Sequence, residues 1–108
     1  MPAVADDDEV FRAIADPQRR SILDQLARSG ATPALQLGEG FAGSQPALSK
    51  HLRVLRSAGL VRVRREGRRQ LYSLDPRPLV RVERWISLYR TFWSDRLDAL
   101  ARHLDRTS

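Results

Sequence analysis

Between Ser44 and Val61 the chain spells out a whole helix: Ser-Gln-Pro-Ala-Leu-Ser-Lys-His-Leu-Arg-Val-Leu-Arg-Ser-Ala-Gly-Leu-Val. Ser44 suits an N-cap, Pro46 is tolerated in a first turn, and Gly59 directly after Ala58 is a common C-terminal stop. Leu48, Leu52 and Leu55 fall at i, i+4 and i+7, so one face turns inward while Gln45, Ser49, Lys50 and Arg53 look outward. That outward face is polar and cationic and contains no acid. Amides, hydroxyls and cations near a helix N-terminus are the side chains that pair with base edges and phosphates. An ordinary amphipathic surface helix satisfies the same spacing, and the choice between the two readings rests on the neighbouring residues.

Those neighbours are basic. From Val61 to Leu74 apolar and basic residues alternate, break at Glu66-Gly67, and resume with Tyr72 and Leu74 on the inner side, which is the pattern of a β-hairpin with an arginine tip. Residues 44 to 74 hold eight cations (Lys50, Arg53, Arg56, Arg62, Arg64, Arg65, Arg68, Arg69) and one acid (Glu66), a net of +7. The whole chain is +6, so the remaining residues sum to −1 and all of the net positive charge lies here. Such clustering favours nucleic acid over the other anionic partners that a basic chain attracts, acidic lipid and acidic protein. Eighteen of the nineteen cations are arginine, a skew that base composition of a genome also produces, so placement carries more meaning than number.

The chain of 108 residues, 42% hydrophobic, suffices for one compact domain. It has no cysteine, which excludes disulfides, thiolate metal sites and iron–sulfur clusters built from its own residues. No apolar run approaches a membrane span, and the acidic start Asp6-Asp-Asp-Glu9 is unlike a secretory leader, so a cytoplasmic protein is expected. Residues 1–5 read as a flexible tail. A short first helix follows, with acids at its positive end and Val10, Phe11 and Ile14 on one face, ending near Ala15. Asp16-Pro17 reads as N-cap and first position of a second helix, with Ile22, Leu23 and Leu26 inward and a stop near Gly30. Arg19 and Arg20 occupy its first turn, a poor place for cations unless a phosphate or carboxylate lies near; the alternative is two solvated side chains. Residues 31–43 keep helical spacing through Ala34, Leu37, Gly38 and Phe41, but Gly38, Gly40 and Gly43 each weaken a helix interior by about 1 kcal/mol, so a short helix is expected.

After the hairpin, Asp75-Pro76-Arg77-Pro78 opens a final helix over 78–104. Leu79, Val82, Trp85, Ile86, Tyr89, Phe92, Trp93, Leu97, Leu100 and Leu104 recur at steps of three and four along roughly 39 Å of helix. That stripe exceeds what one small domain covers and should pack on a second copy, unless the helix folds back over its own domain. His51 and His103 are the only histidines, and neither has a His, Asp or Glu at i+4, so no metal site is expected. His51 should touch DNA backbone or pack beside Arg53. No nucleophile triad, phosphate loop or apolar carboxylate pair is present, and neither enzyme activity nor a cofactor is expected.

The segment Ala15-Asp-Pro-Gln-Arg-Arg-Ser-Ile-Leu-Asp-Gln-Leu26, the core Ser44-Gln-Pro-Ala-Leu-Ser-Lys-His-Leu52, the turn Ala58-Gly-Leu-Val61 and the tip Glu66-Gly-Arg-Arg69 together resemble the ArsR/SmtB family of small bacterial winged helix-turn-helix repressors. The resemblance spans roughly residues 9 to 100. It implies a mainly α fold with helices 1–4, a two-stranded wing (61–74) after the recognition helix (44–58), and a long dimerisation helix. It further implies that the first and last helices form the dimer interface, through Val10, Phe11, Ile14, Trp85, Tyr89, Phe92, Trp93, Leu97 and Leu100. Relatives that hold metal through the helix over 31–43 use cysteines, and those that hold it between the last helices use Asp-x-His and His-x-x-Glu pairs; this chain has neither, although His103 and Asp98 lie in that helix. A metal-independent repressor or autorepressor is the implied kind.

The expected partner is therefore double-stranded DNA bearing an inverted repeat, with two recognition helices about 34–36 Å apart. Gln45 and Ser49 should read base edges; Ser44, Pro46, Lys50, His51 and Arg53 should support or hold the backbone; Arg64, Arg65, Arg68 and Arg69 should meet phosphates or a flanking minor groove. Two other readings remain open at this point. One is a basic RNA- or protein-binding module of the same fold without sequence readout. The other is a small-ligand sensor whose pocket is lined by Trp85, Tyr89, Phe92 and Trp93.

Overall fold

The computed structural model describes residues 7–107, so the tail expected over residues 1–5 and the Asp6 acid lie outside the described residues. Five α-helices run in order as α1 (Asp7–Ile14), α2 (Pro17–Ser29), α3 (Ala34–Gly40), α4 (Gln45–Ser57) and α5 (Val80–Thr107). Three strands, β1 (Thr32–Pro33), β2 (Val61–Glu66) and β3 (Arg69–Leu74), and a 3-10 turn at Arg77–Leu79 complete the order.

α2 begins where its N-cap dictates: the Asp16 carboxylate accepts the backbone N–H groups of Gln18 (2.8 Å) and Arg19 (3.3 Å). Burial pushes the Asp16 carboxyl up, but those two N–H groups and the Arg19 guanidinium outweigh it and hold the group below the usual carboxylate range. The two arginines that sit poorly in the first turn of α2, Arg19 partly buried and Arg20 exposed, both reach back to α1. Arg19 donates through Nε to the Ala13 carbonyl (2.7 Å) and through Nη2 to that of Arg12 (2.9 Å), and Arg20 donates through Nη1 to that of Ile14 (2.8 Å). They cap the exposed carbonyls at the negative end of α1, where cations belong. One helix start thus closes the previous helix end.

The core joins Val10 and Ala13 of α1, Ile22, Leu23 and Leu26 of α2, Leu37 of α3, and Leu48, Leu52 and Leu55 of α4, with Ala58 and Leu60 after α4 and Val61 at the start of β2. Val10 is fully buried in this cluster, which corrects its assignment to a dimer contact: a side chain already enclosed by its own protomer has no surface left to offer. α4 ends at a left-handed Gly59 (φ 77°), where the Gly59 N–H reaches the Arg56 carbonyl (2.9 Å) and the Leu60 N–H reaches that of Leu55 (3.0 Å). This closure aims the chain directly into β2.

The sheet has three antiparallel strands in the order β1-β3-β2, one more than the two-stranded hairpin expected. β1 is two residues long, pairs Thr32 with Tyr72 and Pro33 with Leu71, and leaves no periodic trace in the sequence. Thr32 is buried, and its hydroxyl donates to the Gly30 carbonyl at 2.8 Å. The hairpin turns at Gly67-Arg68, with Gly67 at φ 63° and Glu66 opposite Arg69. Proline suits β1 because an edge strand needs no N–H on its outer side.

Asp75 ties the wing to the last helix. Its N–H donates to the Leu60 carbonyl (2.8 Å), its Oδ1 accepts from the Arg77 backbone N–H (3.1 Å), and its Oδ2 accepts from Arg77 Nη2 (2.7 Å). Arg62 of β2 adds a contact from Nε to Oδ2 at 3.2 Å. The side-chain bonds from Arg77 dominate over burial and hold the Asp75 carboxyl down at about 2 from an ordinary 3.8. A depressed carboxyl stabilises the fold fully above its unfolded value and ceases to do so as pH falls through the folded one. Asp75→Asn should therefore cost roughly 1–2 kcal/mol at pH 7, and the gap to the native chain should close between pH 4 and pH 2. Urea midpoints across that range, at fixed protein concentration, test this; a gap independent of pH would remove the charge from the account.

Candidate nucleic-acid interface

α4 presents the site. Ser44 caps it, its Oγ accepting the Ala47 N–H at 3.2 Å, and Leu48, Leu52 and Leu55 fix its roll by facing the core. Gln45, Pro46, Ser49, Lys50 and Arg53 are left exposed together, a stripe of amide, hydroxyl and cationic groups without an acid. Leu48 and Leu52 lie opposite them, so a rotation of the helix that hid Ser49 would expose the core.

His51 is placed differently. It is half-buried and turns back to α2: Nδ1 lies 3.2 Å from Arg19 Nη1, and Nε2 lies 3.0 Å from Gln18 Oε1. A guanidinium only donates and an amide oxygen only accepts, so Nδ1 is the acceptor and Nε2 carries the proton. Its ring also meets Phe41 edge-on, with centroids 5.9 Å apart. The sequence points His51 to the DNA backbone or to Arg53; the side chain bonds to α2 and so docks the recognition helix on it. Gln18 and Arg19, which the sequence reading left out of the site, are its supports, and the only advance signal was the awkward placement of Arg19.

The wing arginines Arg64, Arg65, Arg68 and Arg69 are all exposed. Arg64 pairs with Glu66 at 3.2 Å, an exposed contact worth little in water, so its charge is the one partly offset. α3 precedes α4 as the first half of a helix-turn-helix, and its glycine at 38 faces α4: a methyl group there would lie 3.7 Å from Gln45 Oε1 and 3.9 Å from Leu48 Cδ2.

A second surface lies on α5. This helix packs on α1 and on the 3-10 turn through its first turns and then projects. Trp85, Leu88, Tyr89, Phe92, Trp93, Leu97, Leu100 and Leu104 are all about half exposed or more. Phe11 of α1 meets Trp85 edge-on (5.8 Å), Trp85 meets Tyr89 (5.5 Å), and Tyr89 stacks on Trp93 (6.4 Å). Among the described residues no three His, Asp or Glu side chains gather where they could hold a metal ion, and no helix is long and apolar enough to cross a membrane.

A polar recognition stripe on the second helix of a helix-turn-helix, with a basic wing beside it, defines a DNA-binding transcriptional regulator. A helix-turn-helix domain profile matches residues 14–64. The chain is 36% identical over 98 residues to the HTH-type transcriptional regulator Rv2034 of Mycobacterium tuberculosis, covering 91% of this chain and 88% of that protein. It is 39% identical over 77 residues to the transcriptional repressor SdpR of Bacillus subtilis, covering 71% and 84%. A crystal structure of an ArsR family transcriptional regulator superposes with a TM-score of 0.70 at 30% identity, over 81% of this chain and 89% of that one. The chain belongs to the ArsR/SmtB family of winged helix-turn-helix regulators.

The docking role of His51 has a measurable signature. His51→Ala removes two side-chain hydrogen bonds and an aromatic contact, and should lower stability by about 1 kcal/mol. Amide exchange in the first turns of α4 should quicken with it. Unchanged stability with weakened DNA binding would instead mean that the ring serves the DNA backbone.

Proposed function

We propose that the protein acts as a homodimeric repressor that occupies an imperfect inverted repeat and needs no metal to do so. The observation that carries this is the acid-free exposed stripe of α4 beside an arginine-tipped wing, on the same chain as a long helix whose apolar side is uncovered. Gln45 and Ser49 read base edges. Lys50 and Arg53 hold phosphates, and Arg65, Arg68 and Arg69 grip the backbone or a flanking minor groove. Repression follows from occupying the promoter, and the protein works in the cytoplasm, where a bacterial promoter lies. The missing cysteines support metal independence, since thiolates are the metal donors the chain cannot supply.

The second copy covers the α5 stripe, with Phe11 and Ile14 of α1 at its margin. Eight large apolar side chains half exposed on one helix are a surface that water disfavours and that a two-fold partner with the same stripe buries on both sides. The two helices then set the distance between recognition helices.

Two experiments test these assignments. In titrations at several salt concentrations, Gln45→Ala should weaken the correct operator by about 1–3 kcal/mol and leave the salt slope unchanged, whereas Arg68→Ala should weaken every duplex alike and flatten that slope by roughly one unit. Identical behaviour on operator and random duplex would refute the division between reading and gripping. In sedimentation, Trp93→Glu should raise the dimer dissociation constant by roughly a hundredfold and weaken operator binding with it. A variant that stayed dimeric would show that another surface joins the copies.

A further inference from the structure

Away from the exposed stripe of α4 and the wing tip, a second group of arginines gathers where α4 ends and α5 begins. An open cleft of about 650 Å3 there is lined by Arg56 of α4, Arg62 of β2, Arg77 of the 3-10 turn, and Arg81 and Arg84 of α5, with Asp75 as its acid. Leaving Arg81 aside, four cations against one acid give a net of +3 around one concavity (4 − 1). Like charges held this close repel one another, and a site lined by one sign of charge concentrates the opposite sign. Glu83, the acid in the first turn of α5, is engaged with Arg90 further along the helix.

Asp75 arranges this cleft. It is nine-tenths buried, and its Oδ2 takes Arg62 Nε at 3.2 Å and Arg77 Nη2 at 2.7 Å, which fixes two guanidiniums from different elements at the cleft edge. Arg62 is held through Nε alone, so its two terminal nitrogens remain as donors. Among the described residues no acid pairs with Arg56 or Arg84. The terminal nitrogens of Arg62 and the exposed guanidiniums of Arg56 and Arg84 border one cleft, and planar forks of this kind take the oxygens of a phosphate group in pairs.

We propose that this cleft binds a small free polyphosphate, an anion with two or three linked phosphates such as the tail of a nucleoside triphosphate. One phosphate is too little charge for +3, and a concave site bordered by several donors suits a compact polyanion. A duplex backbone instead offers single phosphates spread along a convex ridge. Such a ligand would sit one turn beyond Arg53 on α4, so its binding and that of DNA would alter each other reciprocally.

The test uses sodium tripolyphosphate with the full chain at about 0.15 M salt, sodium sulfate at matched ionic strength serving as control. Calorimetric titration of the native protein should show one saturable site, accompanied by a rise in Tm that sulfate does not reproduce. The double variant Arg56→Gln with Arg84→Gln should lose roughly tenfold or more in tripolyphosphate affinity, while Arg68→Gln with Arg69→Gln at the wing should bind as the native protein does. All four side chains are exposed, and circular dichroism checks that both variants fold. Stabilisation that never saturates and that sulfate matches would reduce the effect to screening and overturn the proposal. So would equal losses in both double variants. If the native protein shows no tripolyphosphate site while the cleft variant loses as much duplex affinity as the wing variant, the cleft grips DNA backbone and the small-anion assignment fails. Because the titration contains no DNA, its result stands whether or not the repressor reading holds.

Discussion

A single carboxylate decides how the two working parts of this molecule sit relative to each other. Asp75 lies between the wing and α5, bonded through its own N–H to the loop after α4, through one side-chain oxygen to β2 and through both to the 3-10 turn. Buried carboxylates are costly unless every lone pair finds a donor, and this one is met by Arg77 from its backbone and its guanidinium and by Arg62. The strand that carries the arginine tip and the helix that carries the apolar stripe therefore leave from one fixed point. In a repressor of the kind proposed, that point converts the geometry of the subunit contact into the geometry of the DNA contact.

The other half of the scaffold rests on Arg19. Its guanidinium bonds the last carbonyls of α1 and reaches His51 on α4, so three helices that share few residues in sequence meet at one planar group. The arrangement satisfies polar groups that would otherwise sit beside the core without partners, and it leaves the outer stripe of α4 free of structural duties. The side chains of Ser49, Lys50 and Arg53 are exposed, which leaves their chemistry available to a ligand.

How much of this was legible in the sequence follows from the range of each interaction. The recognition helix was, because its cap, its leucines and its glycine stop are local signals within residues 44–59; the wing was, because alternation and a Glu-Gly break are local as well. α5 was expected from residue 78 and begins at Val80, the difference being the 3-10 turn that follows Pro76. β1 was not legible, since two residues have no period and their partners Tyr72 and Leu71 lie about forty positions away. The duties of Arg19, Arg20 and His51 were hidden for the same reason: the sequence shows an awkward charge or a helix-face histidine, and only the tertiary fold shows which carbonyl or amide it meets. Val10 was misplaced because a fully enclosed valine and an interface valine look alike at the same helical phase.

The placement of the tryptophans has one more consequence. The chain has two, Trp85 and Trp93, and both lie on the apolar side of α5, one against Phe11 and both against Tyr89. The recognition stripe and the arginine tip contain no indole at all. The native protein therefore carries its own optical label, confined to one surface: ultraviolet emission excited at the indole band follows the wetting and drying of α5, and the α4 stripe and wing tip contribute no indole signal of their own.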